Sequence, residues 1–161
     1  MSARHSVIAV LTLLAGLPAE PLQTVRANGT SLHYVDRGKG EPIVFVHGAL
    51  ADYREWGPVA EQLADTYRAI TYSRRYNFPN DNRRSSNNHS ARVEAADLGA
   101  LNRRLQLGPM HVVGVSYGAY TAPLLALREP QLIRTLTLVE PPLITWLPDL
   151  PGGPALFGEH P

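Results

Sequence analysis

A lone serine stands among glycines in Gly114-Val115-Ser116-Tyr117-Gly118, between an apolar run and a stretch of small residues. The spacing is G-x-S-x-G. Glycines on both sides suit a sharp strand-to-helix turn, where side chains at those positions would strike neighbouring backbone. Such a turn lifts the hydroxyl clear at the C-terminal end of a strand, where open α/β sheets bind ligands. The start of the next helix points N–H groups and a partial positive charge at a developing oxyanion. Ser116 is therefore the candidate nucleophile, with the N–H of Tyr117 as one oxyanion donor. The simpler alternative is a serine that caps the helix N-terminus.

A second stretch, "FVHGAL" over residues 45–50, follows an apolar run. A glycine there permits a sharp turn, which places the N–H of Ala49 as the second oxyanion donor. His47 is read as a structural histidine that orders this loop rather than as a catalytic base. A serine hydroxyl needs a base within about 3 Å and a carboxylate to orient that base. Glu140, at the end of "TLTLVE", is the best acid available; the alternative is that it caps the turn before Pro141-Pro142. No histidine is assigned as the base. His33 falls in a hairpin and His111 at the far end of its strand. His89 falls in a polar loop on the active-site edge, and His160 is the penultimate residue.

The elements that must hold these residues follow from local pattern. Asn28-Gly29 predicts a hairpin between residues 22–27 and 31–37. "PIVFVHG" reads as a strand buried on both faces. Trp56, Val59 and Leu63 repeat at helical spacing after it, with Pro58 near the helix start. "YRAITYS" is a strand, and residues 73–90 read as a polar loop. Leu98, Leu101 and Leu105 mark a helix ending at Gly108. "HVVGVS" is a strand, 117–128 a helix that Pro123 should kink or shorten, and "IRTLTLVE" the last strand. The order β-β-β-α-β-α-β-α-β predicts an α/β fold, a mainly parallel sheet with flanking helices.

Composition narrows the partners. Net charge is +1, so no long-range field argues for nucleic acid. Arg74, Arg75, Arg83 and Arg84 form a basic group, but many asparagines surround them, and the segment reads as a solvated loop near the active-site mouth. There are no cysteines and no histidine pair at metal-ligand spacing, so neither a metal nor a cofactor is called for. The expected partner is a small-molecule substrate. The open edge of the last strand also invites self-association.

Taken together, "IVFVHGALADYREW", "YRAITYSRRYNFPN", "HVVGVSYGAY" and "LTLVEPP" resemble the N-terminal half of an α/β-hydrolase-fold protein over roughly residues 22–142. The resemblance implies a serine hydrolase acting through an acyl-enzyme, most often on esters. Ser116 also argues against haloalkane dehalogenases, which the resemblance suggests would carry Asp at the elbow. Two departures bear on substrate rather than fold. Val115 stands where relatives often have His, and "YSRRYN" replaces an acidic, glycine-rich turn. On the same resemblance the fold is incomplete, without its last strands and lid, and residues 143–161 are a Pro/Gly-rich tail at the start of a lid region. Two functions follow: a serine hydrolase fragment with weak or no activity, or a non-catalytic binding module derived from one.

Residues 1–19 carry a basic start, an apolar stretch Val7–Leu14 and small residues before Ala19. That pattern matches a secretory signal peptide, the alternative being an N-terminal arm. The apolar run is shorter than the roughly 20 residues a membrane span needs. Export is expected if the leader is real, and a cytoplasmic location otherwise. Mass spectrometry of the native protein should then find a new N-terminus near Glu20. Intact Met1–Ala19 on cytoplasmic protein would rule the leader out.

Overall fold

Asn28 and Gly29 both take positive φ, 48° and 73°, as a two-residue hairpin turn requires. They join β1 (Gln23–Ala27) to β2 (Thr30–Arg37) as an antiparallel pair, with Ala27 opposite Thr30. The computed structural model describes residues 21–82 and 89–142. The expected leader, Arg83, Arg84, His160 and the tail 143–161 lie outside the described residues.

β2 runs antiparallel to β4 (Tyr67–Tyr72). Beyond it the sheet is parallel: β4 pairs β3 (Glu41–Val46), β3 pairs β5 (Met110–Val115), and β5 pairs β6 (Ile133–Val139). The order across the sheet is β1-β2-β4-β3-β5-β6. Three helices connect the parallel strands: α1 (Gly57–Leu63), α2 (Ala91–Leu105) and α3 (Tyr117–Arg128). The chain leaves β3 through α1 to reach β4 on one side. It crosses back through α2 to β5 on the other side and moves outward through α3 to β6. Right-handed crossovers then put α1 on one face and α2 with α3 on the other.

The core follows that division, because successive strand residues point to opposite faces. Ile43 and Phe45 of β3 pack with Ala60 of α1. Val44 and Val46 pack with Leu98 and Leu101 of α2 and Ala122 and Leu125 of α3. The neighbours β3 and β5 send the chain in opposite directions, which opens a crevice between their C-terminal ends. The residues after Val46 and after Val115 line that crevice. Among the described residues β6 pairs only with β5 and forms the sheet edge, with Leu138 and Val139 exposed. No helix among them is long and apolar enough to cross a membrane.

Local details depart from the sequence expectation in three places. On α1, Ala60 is buried and Val59 is exposed, so the inward face runs from Trp56 through Ala60 to Leu63. α2 ends at Gln106, which takes the left-handed conformation (φ 54°) two residues before Gly108. α3 keeps its expected span, Tyr117–Arg128, with Pro123 inside it and no shortening. The largest departure is the segment after β4. Arg74 and Arg75 are not solvated: they are 4% and 6% exposed. Arg74 forms an ion pair with Glu94, and Arg75 a bidentate one with Asp97, at 2.6 Å from Nε. Glu94 and Asp97 lie on the inward face of α2, so the two arginines are neutralised inside the fold. Asn80 and Asn82 are likewise turned onto main chain. Asn80 Nδ2 donates to the carbonyls of Ser73 and Arg74, and Asn82 Nδ2 to those of Ser31 and Arg75.

Asp97 also accepts from Asn28 Nδ2 at 2.7 Å, tying the hairpin turn to α2. Removing one partner of a buried ion pair leaves an uncompensated charge. Asp97→Ala should therefore destabilise the chain by about 3–5 kcal/mol, read as a lowered urea midpoint. An unchanged midpoint would show that Arg75 can reach water or another partner.

Candidate active site

Ser116 separates β5 from α3 with φ 50° and ψ −117°, outside the regions that residues with a Cβ normally occupy. Two backbone bonds hold it there. Its N–H donates to the Val139 carbonyl of β6 at 2.9 Å, and its carbonyl accepts from the N–H of Tyr120 at 3.1 Å. The Ser116 side chain makes no capping hydrogen bond to α3. Its hydroxyl is therefore not spent on the helix, as the capping alternative would need.

The flanking glycines are steric necessities. A Cβ on Gly118 would lie 2.2 Å from the Val46 carbonyl oxygen, and one on Gly114 would lie 2.7 Å from the Gly118 backbone. The start of α3 thus packs directly against the end of β3. Tyr117, the first residue of α3, enters the crevice on one side, and the loop Gly48–Ala51 enters on the other. Gly48, Ala49, Leu50, Ala51, Glu55 and Ser116 line an open cleft there of about 460 Å³.

That loop is held by side chains from the segment after β4. Arg74 Nη2 donates to the carbonyls of Gly48 and Ala49, at 3.0 and 3.2 Å. Asn77 Nδ2 donates to those of Ala49 and Ala51, each at 2.9 Å. With these carbonyls engaged on the β4 side, the Ala49 N–H makes no hydrogen bond among the described residues. The Arg74 guanidinium also lies 4.6 Å from the centre of the Tyr117 ring. One buried cation therefore touches both walls of the crevice.

His47 is fully buried. Its Nδ1 donates to the Gly48 carbonyl at 2.7 Å, and its Nε2 accepts the N–H of Arg74 at 2.9 Å. These partners fix the neutral Nδ1–H form and occupy both nitrogens. Burial first, then the Arg74 charge, hold its pKa down at about 4. The other described histidines are engaged elsewhere. His33 bonds Asn80, His89 packs at a tilt against Tyr76 with ring centres 5.4 Å apart, and His111 bonds Thr135 and Glu41 at the opposite end of the strands. Glu140 follows Val139 at positive φ (49°) and is exposed, one residue beyond the carbonyl that receives the Ser116 N–H. The structure brings Ser116, Ala49, Tyr117 and Glu140 to one end of the sheet.

Sequence reasoning passed over Glu55. Its Oε2 accepts the Gly48 N–H at 2.9 Å. The position of a Cβ on Gly48 would lie 3.7 Å from Ser116 Cβ and 3.8 Å from Glu55 Oε1. The buried partners of the two arginines, Glu94 for Arg74 and its helical neighbour Asp97 for Arg75, were also missed. Their signal was the continuation of the Leu98-Leu101-Leu105 stripe towards the N-terminus of α2.

Comparison with known proteins defines the class. A family model described as alpha/beta hydrolase fold matches residues 41–158, and the chain belongs to that family. Among curated proteins it is 35% identical over 111 residues to "Putative non-heme bromoperoxidase BpoC" of Mycobacterium tuberculosis, covering 68% of this chain and 41% of that one. It is 29% identical over 124 residues to "Uncharacterized hydrolase YraK" of Bacillus subtilis, covering 77% and 46%. The chain thus spans less than half the length of these relatives. The epoxide hydrolase VrEH1 of Vigna radiata shares the fold, with a TM-score of 0.71 at 24% identity over 73% of this chain and 39% of that one.

The buried neutral His47 makes stability depend on pH. Its folded pKa, about 4, lies below the unfolded value of about 6.5, so between the two the unfolded chain binds more protons. The contribution is complete above about pH 6.5 and is lost as pH falls towards 4, about 3 kcal/mol in all. Urea midpoints measured from pH 7 to 4 should fall accordingly. The fall should flatten in His47→Gln; an equal fall in that variant would assign it to other groups.

Proposed function

We propose that this chain carries the nucleophile half of a serine hydrolase that acts through an acyl-enzyme on an ester-like small molecule. The single observation behind the reading is the backbone of Ser116. A serine held at positive φ between a strand and a helix, with its hydroxyl unused by the helix below it, presents that hydroxyl at the C-terminal end of β5, as a nucleophile turn requires. Ser116 Oγ would attack the ester carbonyl and expel the alcohol, leaving an acyl group on the serine that water then removes. The N–H groups of Ala49 and Tyr117 would receive the oxyanion. Glu140 is the acid this reading assigns, and none of the described histidines is assigned as the base. Turnover by the 161-residue chain is accordingly expected to be slight; enzymes stripped of a triad member keep about 10³–10⁴ over water.

A second reading rests on the 35% identity to a protein named as a bromoperoxidase. Hydrogen peroxide in place of water on the same acyl-enzyme would release a peracid, which oxidises bromide. Peroxide-dependent bromination that needs a carboxylic acid and Ser116 would distinguish it.

The test of the main reading is a fluorophosphonate probe applied to the 161-residue chain and to a version extended to the length of the relatives. Peptide mass spectrometry should find the phosphonyl group on Ser116, slowly in the first and rapidly in the second, and Ser116→Ala should abolish it. Absence of labelling in the extended form would remove the serine-hydrolase reading and leave the binding-module alternative.

A further inference from the structure

Glu55 stands in the Ser116 cleft, and the acyl-enzyme chemistry does not use it. One carboxylate oxygen, Oε2, is fixed by the Gly48 N–H. The other, Oε1, shares with Ser116 Cβ the space in front of Gly48, each within 4 Å of where a side chain on that glycine would begin. No cation pairs with Glu55 among the described residues. Arg54, its neighbour, is taken by Asp52 at 2.6 Å, and Arg74 by Glu94.

An unpaired carboxylate is an odd neighbour for a serine whose transition state develops negative charge. Like charges in one cleft repel, and Glu55 and Ser116 line the same one. A neutral ester would react against that field. An ester with a positive group beside the scissile bond would convert the repulsion into a pairing. We propose that Glu55 is a specificity-determining residue that selects esters carrying an ammonium-type cation next to the reacting carbonyl. The inference rests on the acyl-enzyme reading of Ser116, with Glu55 supplying substrate charge selection.

Two fluorophosphonates of matched size test it, one with a trimethylammonioethyl group and one with the neutral 3,3-dimethylbutyl isostere. In each, Ser116 Oγ would displace fluoride. The full chain should be labelled about fivefold faster by the cationic probe, the scale of one partly exposed ion pair. Glu55→Gln keeps an oxygen for the Gly48 N–H and removes only the charge. It should bring the ratio close to one by slowing the cationic probe and, with the opposing charge gone, speeding the neutral one. An unchanged ratio in Glu55→Gln would overturn the proposal and leave Glu55 as a loop anchor.

A second measurement does not need the nucleophile. In the Ser116→Ala background, ligand-observed NMR should find acetylcholine bound about fivefold more tightly than 3,3-dimethylbutyl acetate. Glu55→Gln should erase that difference, and equal binding before the substitution would overturn the proposal. This preference with no labelling by either probe would defeat the serine-hydrolase reading alone.

Discussion

Arg74 is the charge on which both walls of the crevice depend. Its guanidinium is paired with Glu94 of α2, donates to two carbonyls of the loop after β3, and lies against the Tyr117 ring at the start of α3. Its own N–H is received by His47. Taking a guanidinium out of water costs several kcal/mol unless charge and hydrogen bonds replace the solvent. The fold therefore has little freedom in how these elements meet, because moving any one of them strips the cation of a partner. A contact with an aromatic face is worth up to about 2 kcal/mol when desolvated, and here it also sets the distance between the loop and α3.

The Ser116 turn obeys a different constraint, which is steric. β3 and β5 are adjacent and parallel, and α3 starts so close to the end of β3 that only hydrogen fits on Gly118. Ser116 takes its unusual dihedrals because the chain must reverse there while its N–H still reaches the Val139 carbonyl. Strain of this kind costs about 1–3 kcal/mol and persists only where the surroundings over-determine it. β6 supplies part of that determination, so the last described strand contributes to the site as well as to the sheet.

Three carboxylates within one region have separate duties. Glu94 and Asp97 are buried and spent on arginines. Glu55 is exposed and keeps one oxygen turned to the cleft. The difference comes from their elements. The first two sit on the inward face of α2, and the third sits on the turn before α1, at the open end of the sheet.

What the residues determine alone is local. Asn28-Gly29 dictates a hairpin because the two residues that tolerate positive φ best stand together. The β3 and β5 strands are legible from continuous apolar runs, and the Ser116 turn from two glycines whose spacing has one economical geometry. The position of Ala49 opposite Ser116 was legible only through the order of the elements and the family resemblance. The segment after β4 was misread because its partners lie far along the chain. Arg74 and Arg75 look like any exposed basic pair until α2 brings Glu94 and Asp97 to them, 20 and 22 residues later. Glu55 gave no pattern at all, since its role depends on the loop after β3 curling back so that Gly48 meets it. Periodicity and turn chemistry act between neighbours and can be read in order. Charge neutralisation acts through space, so only the tertiary structure decided which ionised groups are buried, which are paired, and which one is left facing the serine.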